Sequence, residues 1–159
     1  MESLKNLDEI YMPDARYRNR VNIDTATGEV SEFKINDIYS LVESVRLNDN
    51  VPEEVRSHFE TAKNLILYSW FVYSFNAVAA LHALASLEMA VRAKTGDEQT
   101  AFKNLLYKVF KGREFVPGQP LSKVVAYIRN DLAHGSSTIH GQEHHYVSMC
   151  ADLINELYQ

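Results

Sequence analysis

Arg129 and His134 are the two side chains whose types and spacing point most directly to chemistry in this 159-residue chain. A guanidinium presents a fixed fork of donors that fits phosphate. An imidazole exchanges a proton near neutrality and can act in either direction. Together they suit phosphodiester chemistry that needs no metal ion. Between them stand Asn130, Asp131, Leu132 and Ala133, and Gly135 follows. On a helix, five residues put Arg129 and His134 about 140° apart around the axis and ~7.5 Å apart along it. They do not share a face, whereas Asn130 and His134, at i and i+4, do. Asn130 can orient the ring or a substrate oxygen, and Asp131, three residues before His134, can hold the imidazole. Gly135 is expected to end the helix, leaving His134 in the last turn, where the dipole favours a cation. On spacing alone the same residues also read as the solvated end of an ordinary surface helix.

The elements that must carry this pair are helical. Residues 1–19 read as a short helix or irregular arm, with Pro13 ending any helix begun at Leu4. Val21 and Ile23, then Phe33 and Ile35, alternate with polar residues around Gly28, which predicts a β-hairpin with Thr25 to Glu29 as its loop. From Asn36 the period becomes helical. Asn36 or Asp37 can cap a helix bearing Ile38, Leu41, Val42 and Val45, which Asn48-Asp49-Asn50 breaks. Pro52 then starts a long helix with Glu53 and Glu54 in its first turn. A break near Ser74 to Asn76 would divide the apolar run that follows into two antiparallel helices; the alternative is one kinked helix to Arg92. The Ala-rich tract from Asn76 to Lys94 is strongly helix-prone and its small residues permit close approach. Gly96 ends it. Asp97 to Lys111 is expected to be helical, Gly112 to Pro120 a loop, Leu121 to His134 helical, Gly135 to Gln142 a polar loop, and Glu143 to Tyr158 a final helix burying Val147, Cys150, Leu153, Ile154 and Leu157. The sum is an all-α, up-and-down bundle of five or six helices with an N-terminal β-hairpin extension. Residues 1–36 form the arm and hairpin and 37–159 the bundle, in a single globular unit.

Composition narrows the function classes. The formal net charge is −5, unlike a protein that grips long nucleic acid through many phosphates, so any nucleic-acid contact must be local. Charge is uneven: Arg16, Arg18 and Arg20 cluster in one tract, and four of the six histidines fall between Arg129 and His145. The one cysteine, Cys150, allows no internal disulfide, and the polar start MESLKNLDEI lacks the apolar region of a signal peptide, so a cytoplasmic location is expected. The apolar stretch Leu65 to Leu87 has the length of a membrane span, but Ser69, Ser74, Asn76, His82 and Ser86 interrupt it, and a buried helix pair is the better reading.

The stretch Ile128-Arg-Asn-Asp-Leu-Ala-His-Gly135 resembles the signature of HEPN domains, an Arg, a polar residue and then His after four to six intervening residues. Four intervene here, and Asn130 follows the Arg. The tract Phe75 to Arg92, with Ala-Leu-Ala-Ser-Leu-Glu-Met-Ala-Val-Arg, resembles the helix that precedes the motif in such domains. The resemblance covers about Asp37 to Tyr158; the hairpin has no counterpart in the minimal fold. It implies a helical bundle that pairs as a homodimer, with two motifs facing each other to form one RNA-cleaving cleft without metal or other cofactor. It also implies attack by a ribose 2′-hydroxyl on the adjacent phosphate, with Arg129 binding the scissile phosphate, His134 moving the proton and Asn130 in support. A toxin or phage-defence setting, with an antitoxin or other partner protein, follows from the family alone. Many members have lost activity, so a non-catalytic module that binds RNA or a partner protein is the alternative.

Other polar residues have plainer readings. Glu88 could pair with Arg129 or, at i+4, with Arg92. His82 reads as a satisfied core histidine. His140, His144 and His145 suggest a metal cluster, and hence a metal-dependent hydrolase, but adjacent helical histidines point about 100° apart and no Cys or acid completes the set. A solvated loop and helix start is preferred, with His140, His144 and Tyr146 as candidates for the rim of an RNA site. Tyr127 and Tyr146 can stack on bases, although core or interface packing is the first expectation for both. Gly-rich phosphate loops and Ser or Cys nucleophile signatures are absent.

Overall fold

The computed structural model describes residues 4–134 and 143–159. A short 3₁₀ turn at Leu7–Glu9 precedes an antiparallel hairpin of β1 (Val21–Ile23) and β2 (Val30–Glu32). Six α-helices follow among the described residues: α1 (Ile35–Glu43), α2 (Glu53–Tyr68), α3 (Phe75–Thr95), α4 (Phe102–Val109), α5 (Leu121–Ala133) and α6 (His144–Leu157). The all-α bundle with an N-terminal hairpin is the expected architecture.

Helix α3 organises the bundle. Alanines, leucines and small polar residues occur on every side of it, so no single face can be given to solvent. It is enclosed instead: α2, α4, α5 and α6 all pack on it. Ala79, Ala80, Ala83, Ser86 and Ala90 are buried, and their small side chains let the neighbouring helices come close. Cys150 on α6 is buried in the same core, where desolvation pushes its thiol up and keeps it out of thiolate chemistry.

Several boundaries differ from expectation for local reasons. The chain breaks at residues 69–74, ahead of the expected site, and this excludes one continuous kinked helix. The first turn of α1 is closed from within, as the Asp37 carboxylate accepts the Lys34 backbone N–H at 2.6 Å; neither Asn36 nor Asp37 is the capping residue. Helix α4 is eight residues long rather than reaching back to Asp97. Asp97 Oδ1 accepts the N–H groups of Gln99 (3.1 Å) and Thr100 (2.9 Å), a local turn that competes with helix. The expected loop from Gly112 to Pro120 contains a second hairpin, β3 (Glu114–Val116) with β4 (Gln119–Pro120). Pro117 and Gly118 turn it, and the positive φ of Gly118 (+79°) is the conformation that position requires. Gly96 ends α3 as expected, with φ +67° and its N–H on the Arg92 carbonyl at 2.8 Å.

The arm and the base of the first hairpin belong to the core. Tyr17 and Phe33 are buried and stack at 5.9 Å, with Trp70 and Tyr73 against Tyr17. A buried hydrogen-bond chain fixes this junction. Ser69 Oγ donates to the Ile66 carbonyl (2.7 Å), so its oxygen is left to accept from the Tyr17 hydroxyl (2.9 Å). The Tyr17 oxygen in turn accepts from Asn76 Nδ2 (3.0 Å). The chain thus pins the arm across the α2–α3 turn. Tyr17→Phe removes its middle member while keeping the ring. Urea unfolding should show a loss of about 1–2 kcal/mol, the usual cost of stranding buried hydrogen-bonding groups; an unchanged midpoint would show that the chain is not needed to seat the arm.

Candidate functional site

Helix α5 begins at Leu121, directly after the β3–β4 hairpin, and buries Leu121, Ser122 and Val125 against the bundle. Its C-terminal half emerges from the core. Asn130 and His134 are exposed, Arg129 and Asp131 are half-buried, and His134 stands at the C-cap with its N–H on the Asn130 carbonyl at 3.0 Å. The expected arrangement of the motif on the last turns of this helix is therefore present up to His134. Gly135 and the loop to Gln142, including His140, lie outside the described residues.

Glu88 on α3 is the group that reaches across to this helix. Its Oε2 lies 3.1 Å from Arg129 Nη2, and its Oε1 accepts from Arg92 Nη2 (2.7 Å) and Nε (3.1 Å). Both pairings considered from the sequence are thus made at once, by different oxygens of one carboxylate. Arg92 is anchored further by Nη1, which donates to the carbonyls of Asp97 (3.1 Å) and Thr100 (3.3 Å). The Glu88 side chain keeps 18% of its surface and that of Arg129 43%, so the carboxylate is largely covered while the guanidinium still faces solvent. Two guanidinia on one carboxylate leave a net positive charge at this point of an otherwise acidic protein.

Tyr127 is not a core residue, the first of the two packings expected for it. It is 70% exposed, packed neither in the core nor beside another ring among the described residues. Seven residues separate it from His134, so the two share a helix face two turns apart. Lys123, Tyr127, Asn130 and His134 are all exposed and form one polar and aromatic stripe along α5. The signal was available in the sequence: Tyr127 lies off the Val124, Val125, Ile128 and Leu132 stripe.

The remaining candidates sit on the first turn of α6. His144 and Tyr146 are half-buried and His145 is exposed. The imidazoles of His144 and His145 approach to 4.1 Å between centroids, so their backbone directions do not hold the rings apart. Burial lowers the His144 pKa, and His145 and Arg20 add to this, against a smaller opposite effect of Glu143. Arg20 also lies over the Phe33 ring at 4.5 Å, and Arg16 is forked onto Asp14 at 2.8 and 3.1 Å. Among the described residues, no three His, Cys, Asp or Glu side chains gather as a metal ion would need. An open groove of about 690 Å³ between α1 and α2 holds none of the motif residues. Two of its three cations are already matched, Arg56 with Asp49 and Glu53 and Lys63 with Glu60. No helix among the described residues is long and apolar enough to cross a membrane.

A second histidine pair lies between α2 and α3. His58 and His82 stack at 3.8 Å with planes 9° apart, and His58 Nδ1 meets Ser86 Oγ at 2.8 Å. His58 had no place in the sequence reading, although its spacing from Val55, Phe59 and Ala62 sets it beside the apolar stripe of α2. His82 is not the fully satisfied core residue expected, because its buried Nε2 has no hydrogen-bond partner among the described residues. Burial and then the charge of His58 lower the His82 pKa. The unfolded chain therefore binds more protons than the folded one once the pH falls through the ordinary imidazole value of 6.5. Stability should be complete above that value and should fall below it. Thermal unfolding at about pH 7.5 and pH 5.5 should show this loss in wild type and a smaller one in His82→Phe; equal slopes would remove His82 from the account.

Set against family models, curated proteins and solved structures, the chain matches none of them.

Proposed function

We propose that this chain is a metal-independent endoribonuclease of the HEPN type, cutting RNA at a site completed by a second copy of itself. The observation that carries the reading is the solvent-facing end of α5, where Arg129 is steadied by Glu88 yet still partly open and His134 stands exposed one turn beyond. Arg129 supplies a fork for the scissile phosphate and for the charge that builds on it in the transition state. His134 moves protons. The 2′-oxygen bonds to phosphorus as its proton leaves, and the 5′-oxygen departs with a proton, giving a 2′,3′-cyclic phosphate and a 5′-hydroxyl end. In an in-line displacement the attacking and leaving oxygens lie on opposite sides of phosphorus. One imidazole does not reach both, which is the reason for a second His134 from a partner copy. Asn130, on the His134 face, supports the ring or a substrate oxygen, and Tyr127 on the same face suits an unpaired base.

The −5 charge fits such a compact site better than a long electrostatic track. A toxin or antiviral-defence role in the cytoplasm, restrained by an antitoxin or other partner protein, follows from the same resemblance. Purified protein is expected to cut single-stranded RNA in EDTA and leave cyclic phosphate ends. Arg129→Ala and His134→Ala should each lower the rate by about 100-fold or more with the oligomer intact. RNA that is bound but left uncut by wild type would replace this reading with that of a non-catalytic interaction module.

A further inference from the structure

Glu88 presents a difficulty for a phosphate-binding Arg129. A carboxylate beside a guanidinium tends to take two parallel hydrogen bonds and so to occupy the edge a phosphate would use. Here the nearest approach of the two is between Nη2 and Oε2, at 3.1 Å. The other oxygen is engaged by two nitrogens of Arg92, at 2.7 and 3.1 Å. Arg92 cannot easily follow Glu88 toward Arg129, because its Nη1 is tied to the Asp97 and Thr100 carbonyls beyond the end of α3. Among the described residues Glu88 is the one ion-pair partner of Arg129.

We propose that Arg92 is a positioning residue that holds Glu88 to a single-oxygen contact with Arg129 and so keeps the remaining Arg129 donors free for a phosphate group. Glu88 then steers the guanidinium without neutralising its binding edge. Without Arg92, the partly buried carboxylate turns both oxygens to Arg129, the nearest remaining cation, and competes with the anion. This rests on the reading of Arg129 as a phosphate ligand and extends it to a residue on α3 that has no contact with the substrate.

The test uses inorganic phosphate as the probe and the Nε–Hε NMR signal of Arg129 as the readout, assigned by its loss in Arg129→Lys. Wild type should show a saturable shift of that signal. Arg92→Ala should weaken phosphate binding about tenfold, the order of one charge-assisted hydrogen bond. The double variant Arg92→Ala with Glu88→Gln should recover most of that loss, because the competing charge is gone although Arg92 is still missing. A purely structural role for Arg92 predicts no such rescue. If Arg92→Ala does not fold, Arg92→Lys takes its place: a single ammonium nitrogen cannot span Glu88 and the Asp97 and Thr100 carbonyls as the guanidinium does, and the same weakening and rescue are expected. Unaltered phosphate binding without Arg92, a double variant as weak as the single one, or a wild type whose Arg129 signal ignores phosphate would each overturn the proposal. RNA cleavage by the same proteins separates the two claims. A phosphate pattern as expected with no cleavage leaves the positioning intact and ends the ribonuclease reading, whereas Arg129-dependent cleavage without the pattern does the reverse.

Discussion

A helix that is apolar on every side has to be enclosed, and α3 imposes that requirement on the whole chain. Its burial accounts for four of the other five helices packing against it, and its small residues set how closely they approach. The arm is drawn into the same arrangement. Tyr17 reaches over the α2–α3 turn, and its hydroxyl joins the two buried polar side chains, Ser69 and Asn76, that the turn would otherwise leave short of partners.

Enclosure has a consequence for the polar residues that α3 still carries. Glu88 sits on a helix covered from most directions, and a largely covered carboxylate is costly unless it is paired. Arg92 from the same helix and Arg129 from α5 meet that need together. The compensation of a charge on the central helix thereby becomes the geometry of the candidate site, since it sets the guanidinium of α5 in a defined place. His82 shows the same pressure met differently. It stacks on His58, leaves one nitrogen without a partner among the described residues and is held toward its neutral form.

The electrostatics of the molecule are accordingly local. The acidic excess is spread over a surface where several cations already face acids, as Arg56 and Lys63 do at the α1–α2 groove and Arg16 does at Asp14. The Arg92–Glu88–Arg129 group has one more cation than anion and lies beside the exposed stripe of α5.

Periodicity determined most of the fold without help. The 3.6-residue pattern located α1, α2, α5 and α6 and every buried position named for α6, because side-chain direction along a helix follows from spacing alone, and the Ala-rich composition located α3. The Arg129 to His134 motif was equally plain, being defined by residue type and interval. What spacing could not decide were competitions between local and distant partners. Asp97 turned residues away from α4 by bonding to nearby N–H groups, and Pro117-Gly118 made a hairpin where composition indicated only a loop. The stacking of His58 on His82 and the exposure of Tyr127 depend on which surface a neighbouring helix covers. Glu88 is the sharpest instance. The sequence by itself determined that it could pair with Arg92 one turn on or with Arg129 on another helix. Only the tertiary structure decided that it does both, because packing α5 against α3 brought the second guanidinium to the carboxylate oxygen that the first had left open.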